Sequence, residues 1–270
     1  MTSKIKTLQE AASLVENGAA LAIGGNALNR APMAFIREIC RQQKKGLRLI
    51  KTAAAHDVDL LCANGSVASV DAGFVSYETY FGLAPHYRKA VESGRVIANE
   101  HACYTVICAL RAASMNVPFM PVAGLKTGDL LTHNDYFMVV EDPFGGEPVT
   151  LVKALVPDVA IIHVHECDEE GNAVIHGPKF EDVLLTRAAK KVMVTAEKIV
   201  PKSRLKADQV AVPGFLVDAV VLAPKGAKPT SCYKLYGVDE NSIRAFLNLK
   251  GELKDYLNQK EGWTYGNQTF

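Results

Sequence analysis

The feature that most constrains this chain is a repeated local order near its start: helix pattern, short apolar run, tight turn. Thr7 to Glu10 has the spacing of a capping box, in which Thr7 caps and Glu10 reaches back three residues later. Leu8, Ala11, Ala12 and Val15 follow at helical spacing, and Gly18 marks the end. Ala20 to Ile23 is a short apolar run of buried-strand type that stops at Gly24-Gly25. A second helix is predicted from Pro32 to about Gln43, with proline in its first turn, and Leu47 to Lys51 reads as the next strand. Alternation of this kind predicts a mostly parallel sheet with helices on both faces.

The rhythm continues with a helix over 57–63, a strand over 67–74, and helices over 85–92 and 104–115. The stretch 124–133 reads as a loop. Strands are predicted over 136–140 and 149–152, around a turn of Asp142, Pro143, Gly145 and Gly146. Val159 to Val164 is strongly apolar and β-branched, and Asp168 to Asn172 makes a tight turn into 173–175, a hairpin pattern. A helix over 181–189, strands over 191–195 and 219–222, and a polar helical tail ending in Trp263 and Tyr265 complete the reading. No internal repeat or flexible linker interrupts the chain, so residues 1–270 are expected to form one α/β domain.

Composition excludes several functions. With 30 basic and 29 acidic residues the net charge is +1, too small to draw in nucleic acid or a membrane surface. No segment offers the roughly 20 apolar residues that a membrane span requires. The N-terminus lacks the apolar core of a signal peptide, which predicts a cytoplasmic protein. None of the six cysteines forms a CxxC pair, and reduced, mostly buried thiols are expected.

Three stretches could carry chemistry. Gly24, Gly25 and Asn26 follow a buried strand, where glycine lets backbone N–H groups point into a cleft to hold an oxyanion or a phosphate. On the motif alone, a tight strand-to-helix turn is the simpler reading of the same residues. The run from Gly24 to Asn29 does not match G-x-G-x-x-G, and neither a G-x-x-x-x-G-K phosphate loop nor a G-x-S-x-G nucleophile elbow is present. His163 and His165 lie two apart on a strand and so share a face, with His176 nearby, but they read as buried histidines satisfying backbone groups, and no metal site is expected. Glu100 lies between a short strand and the helix from Tyr104, where a carboxylate either borders a site or caps the helix. Lys179 reads as a solvated surface lysine.

Beyond these stretches, the chain resembles the α subunit of family I CoA-transferases, in particular the glutaconate CoA-transferase type. The resemblance runs over nearly the whole length. It is carried in order by Ala22 to Gly25 with Arg30 to Met33, by Tyr77-Glu78 with Gly82 to Pro85 and Ala90 to Gly94, and by Arg111 to Ala113 with Val117 to Pro121. It continues through Pro157 to His165 running into Asp168 to Asn172, the most diagnostic block, then Pro213 to Asp218 and Ala223 to Pro229. The resemblance implies an α/β fold, no bound cofactor, a coenzyme A thioester as substrate, and a β-subunit partner in an α2β2 assembly acting on an acyl-CoA and a carboxylic acid. In such enzymes a β-subunit glutamate attacks the thioester to form a mixed anhydride, which CoA thiolate converts to a glutamyl-CoA thioester. The chemistry requires exclusion of water and stabilisation of the oxyanion. The resemblance leaves this chain to supply the scaffold, part of the interface, and oxyanion donors from Gly24 to Asn26. Glu170, beside Gly171 and Asn172, reads as turn chemistry. The run Gly-Gly-Asn-Ala-Leu-Asn departs from simple dicarboxylate transferases. The same fold also resembles hydrolases that open a ring in cyclic acyl-CoA intermediates of steroid breakdown, and this alternative makes Glu100 a water-activating base with Tyr104 or His101 nearby.

Overall fold

The computed structural model describes residues 3–125, 128–131, 134–249 and 252–258. Trp263, Tyr265 and part of the 124–133 loop lie outside the described residues. In chain order the elements are α1 (Leu8–Ser13), β1 (Ala20–Ile23), α2 (Met33–Arg41), β2 (Leu47–Ala54), α3 (His56–Ala63), β3 (Val67–Val75), α4 (Glu78–Phe81), α5 (Pro85–Glu92), β4 (Ile97–Glu100) and α6 (Cys103–Ser114). They continue as β5 (Phe119–Val122), β6 (Phe137–Val140), β7 (Val149–Lys153), β8 (Val159–Cys167), β9 (Ala173–Val174), α7 (Asp182–Ala188), β10 (Lys191–Ile199), β11 (Val210–Val212), β12 (Ala219–Leu222), α8 (Glu240–Leu247) and α9 (Leu253–Asn258).

Seven strands form a parallel sheet in the order β12-β10-β8-β1-β2-β3-β4. The expected mostly parallel α/β class is what the chain adopts. β8 runs on into a hairpin: Cys167 pairs antiparallel with Ala173, and β11 pairs antiparallel with β9. Both faces of the central strands are covered, which is why they read as continuous apolar runs rather than alternating ones. In β1, Leu21 and Ile23 point into the core cluster that holds Phe35, Ile36, Ile39 and Phe246, while Ala22 points to the opposite cluster with Val106, Ala109 and Leu110 of α6. Each fully buried leucine or isoleucine there contributes about 1.5–3 kcal/mol.

Two elements depart from the sequence reading for identifiable reasons. β5 contains Pro121, which argues against a strand, but β5 is an edge of the small antiparallel sheet β5-β7-β6, where the missing N–H is tolerated. β2 continues past Lys51 to Ala54 because its pairing with β3 runs on through Ala53–Phe74 and Ala54–Val75, and the fully buried Lys51 ammonium is accommodated by Asp57 and by Gly24 O at 2.8 Å. The small sheet packs through Val122, Phe137 and Val152 against α6.

From β1 the chain proceeds through β2, β3 and β4 in one direction across the sheet. From β8 it proceeds through β10 and β12 in the other. β1 and β8 are neighbours, so the carboxyl ends of these two strands form the point at which the winding reverses, where open parallel sheets place their ligands.

Candidate active site at the carboxyl rim of the sheet

Gly24, Gly25 and Asn26 sit at that reversal point. Gly24 N donates to Ile161 O at 2.8 Å, Gly25 N to Asp182 Oδ1 at 2.7 Å, and Asn26 N to Asn29 O at 2.9 Å. All three donors are therefore engaged within the chain, and an oxyanion would have to displace one of these partners. The glycines are needed on steric grounds. A Cβ on Gly24 would lie 2.6 Å from Asp182 Oδ1 and 2.9 Å from Ile162 Cγ2, and Gly25 has a φ of +72° with Asn29 O 2.4 Å from where its Cβ would be.

The turn is held by a buried ion pair. The Arg30 guanidinium bonds the Asp182 carboxylate, and it also donates to His163 O at 2.8 Å and Pro178 O at 3.0 Å. Arg30 and Asp182 are 2% and 0% exposed, so the pair is desolvated and each charge depends on the other. Sequence reasoning missed both residues as site components. Arg30 stood in a family block, but nothing local pointed to Asp182, 152 positions away.

His163 and His165 do not converge on a common ligand position. His163 lies between Thr195 Oγ1 (2.9 Å from Nδ1) and Glu197 Oε1 (2.9 Å from Nε2). His165 Nε2 donates to Tyr233 O at 2.9 Å, and its Nδ1 accepts from His176 N at 3.2 Å; burial pushes its pKa down to about 4. Burial alone would raise the Glu197 carboxyl, but hydrogen bonds from His163, the Tyr236 hydroxyl and Lys225 N hold it below the ordinary value. The Cys232 thiol is pushed up to about 12 by burial and by the nearby Glu197 charge. Ligand atoms of His163, Glu197 and Cys232 lie within 4.8 Å of one another, a grouping that could hold a metal ion. Both nitrogens of His163 and both oxygens of Glu197 already have protein partners, so the group reads as a satisfied polar chain.

Glu100 is the last residue of β4, at the outer end of the same rim. It does not cap the following helix: the N-cap position belongs to Ala102, whose N–H donates to Thr105 Oγ1 at 3.0 Å. Glu100 lines a cleft of about 320 Å³ with Gly73, Phe74, Tyr87, Asn99 and Leu130. Its carboxylate is exposed, and no hydrogen bond joins it to His101 or Tyr104 among the described residues. The His101 ring is buried against Tyr136 and Phe137, with Nε2 3.5 Å from Asp71 Oδ1. Burial would raise the Asp71 carboxyl, but His101 and Arg48 together hold it down. These groups anchor the β4 end and so position Glu100.

Glu170 lies in the β8–β9 turn, whose geometry is set by Asp168: its Oδ1 accepts from Glu170 N at 3.0 Å and Asn172 N at 2.8 Å. The Glu170 carboxylate is exposed and paired with Lys202.

Fold and rim together place this chain among α/β proteins that bind ligands at the carboxyl ends of a parallel sheet. The Coenzyme A transferase family model matches residues 5–223, and the chain belongs to that family. The A-subunit of glutaconate CoA-transferase from Acidaminococcus fermentans is 32% identical over 97% of this chain and 88% of its own length. The crystal structure of glutaconate coenzyme A-transferase from that organism matches with a TM-score of 0.85 at 31% identity, covering 95% of this chain and 92% of that one. A crystal structure of a cysteine-to-serine variant of the decarboxylase AibA/AibB matches with a TM-score of 0.86 at 35% identity over 95% of this chain and 98% of that one. The cholesterol ring-cleaving hydrolase IpdA subunit of Rhodococcus jostii is 32% identical over 89% of this chain and 84% of its length. An uncharacterized protein of Archaeoglobus fulgidus is 37% identical across the whole chain, which spans 61% of that protein's length. No helix among the described residues is long and apolar enough to cross a membrane.

Proposed function

We propose that residues 1–270 work as one α-subunit domain of a cytoplasmic, heteromeric CoA-transferase, paired with a β subunit in an α2β2 assembly. The complex moves CoA between an acyl-CoA and a carboxylic acid, and the attacking glutamate belongs to the β subunit. The observation that carries this reading is the near full-length similarity to the A-subunit of a glutaconate CoA-transferase. The chemistry of this chain's own carboxylates agrees with it. Glu197 is tied by three donors, and Glu170 is paired with Lys202 in a turn, so neither is set up to attack a thioester. This chain contributes the rim, the clamped glycine turn and a face for the partner. The test is to purify the chain with and without its β partner and measure CoA exchange between an acyl-CoA and a free acid. Exchange is expected from the complex and not from the lone chain; full activity in the lone chain overturns the proposal.

A second reading is hydrolysis, with Glu100 as the base that activates water on a cyclic acyl-CoA. It is favoured by the position of Glu100, which borders a cleft at a strand end while Ala102 occupies the N-cap position of the helix. In this reading Glu100→Gln in the complex lowers water-dependent turnover by at least about 100-fold, the lower range for loss of a general base. Under the transferase reading exchange continues. An unchanged hydrolytic rate retires Glu100 as a base.

A further inference from the structure

A second cleft opens on the other arm of the rim. Its volume is about 600 Å³, within the range of sites that take a small organic ligand. Arg30, His176, Phe180, Tyr233, Lys234 and Tyr236 are among its lining residues. It lies beside the carboxyl end of β8, where Arg30 reaches His163 O and His165 donates to Tyr233 O.

Backbone, buried support and charge each distinguish this cleft. Eight described non-glycine residues have positive φ, and three of them, Arg30 (+53°), Phe180 (+48°) and Lys234 (+63°), line it. A fourth, Lys225, donates its N–H to Glu197 behind Tyr236. Left-handed backbone at such residues persists only where the surroundings over-determine it, and it concentrates at functional sites. Behind the lining, the buried chain Tyr236–Glu197–His163 holds the 231–237 loop in place. Gly177 lets the chain pass flat against the Tyr233 ring, since a Cβ there would lie 2.7 Å from it.

No aspartate or glutamate lines the cleft, whereas Arg30, His176 and Lys234 do. The Arg30 guanidinium is occupied by three acceptors. Among the described residues, Lys234 has no carboxylate partner and its ammonium lies 5.6 Å from the Tyr233 ring centroid. The His176 ring packs on His165 at 4.9 Å, with no hydrogen bond to its own nitrogens among the described residues. Phe180, Tyr233 and Leu235 expose apolar surface beside these groups.

We propose that this cleft binds an organic anion carried on a flat apolar body. The faces of Phe180 and Tyr233 hold the body, and Lys234 and His176 hold the anionic group. The source of the ligand rests on the CoA-transferase reading, in which two reactants have this chemistry: the phosphorylated adenosine end of the thioester, and the free acid. Four strand spacings separate β8 from β4, roughly 19 Å, so the cleft and Glu100 stand at separate stations along one rim.

The test is calorimetric titration of the full chain with adenosine 3′,5′-bisphosphate in one arm and cinnamate in the other, with uncharged adenosine and ethyl cinnamate as controls. One charged probe is expected to bind, its control is expected not to, and Lys234→Gln should weaken binding at least tenfold with an unchanged melting temperature. His176→Gln provides a second variant should the first fold poorly. Binding of the bisphosphate assigns the cleft to the nucleotide end, and binding of cinnamate assigns it to the acid. If neither binds at millimolar concentration, or if both variants bind like the parent, the proposal is overturned. The exchange assay separates the two readings: lost binding with transfer intact rejects the cleft alone, and binding without transfer rejects the CoA reading alone.

Discussion

Replacing Asp182 with alanine removes two things at once: the counter-ion of Arg30 and the acceptor of Gly25 N–H. Both partners are fully buried, so water cannot take over either role without opening the fold. An uncompensated buried charge costs about 3–5 kcal/mol. An unsatisfied buried N–H costs about 1–3 kcal/mol. Some relaxation offsets the sum, and a loss of about 4–6 kcal/mol is expected, a large share of the roughly 5–15 kcal/mol that stabilises an ordinary domain. Asp182→Asn keeps an acceptor for Gly25 and should lose about 3 kcal/mol, the lower end of the charge cost. The double variant Arg30→Met with Asp182→Leu removes both charges and should recover about 3 kcal/mol, the charge cost, while the Gly25 N–H stays without its acceptor. Urea unfolding checks all three, with the midpoint moving at constant slope. A loss below about 1.5 kcal/mol for Asp182→Ala, well under the cost of an unpaired buried charge, would refute the clamp. So would a double variant as unstable as the two singles combined.

Further outcomes follow from the same geometry. Gly24→Ala should cost about 1–3 kcal/mol by overpacking, since the added Cβ meets Asp182 and Ile162 while the backbone at Gly24 is ordinary; a neutral effect in thermal unfolding would show that the turn is looser than described. Thr7→Ala should cost about 1 kcal/mol through loss of the cap at α1, read as a lower melting temperature. His165 is held near a pKa of about 4 when folded, against 6.5 ordinarily, so the unfolded chain binds a proton in that window that the folded chain refuses. Its contribution to stability is therefore complete above pH 6.5 and is lost as pH falls toward 4, at about 1.4 kcal/mol per pH unit. Urea midpoints between pH 7 and 4.5 should fall less steeply for His165→Gln than for the parent, and parallel slopes would contradict the assignment.

Much of the architecture was legible in the amino-acid order. Short apolar runs such as Ala20 to Ile23 and Val159 to Ile162, separated by helix patterns, point to a parallel sheet because strands buried on both faces can be apolar at successive positions. The Thr7–Glu10 box and the Asp168–Asn172 hairpin are built by neighbours in sequence, so local chemistry was enough to read them. The candidate site was legible only where it is local. Glu100 could be placed at a junction, but choosing between cap and cleft required seeing Ala102 occupy the N-cap position. Arg30 with Asp182, Lys51 with Gly24 O, and His163 with Glu197 join residues that sequence alone does not bring together. Periodicity reports which side of an element is buried. Which charges neutralise one another inside depends on strand order, and strand order is set by the packing of the whole sheet.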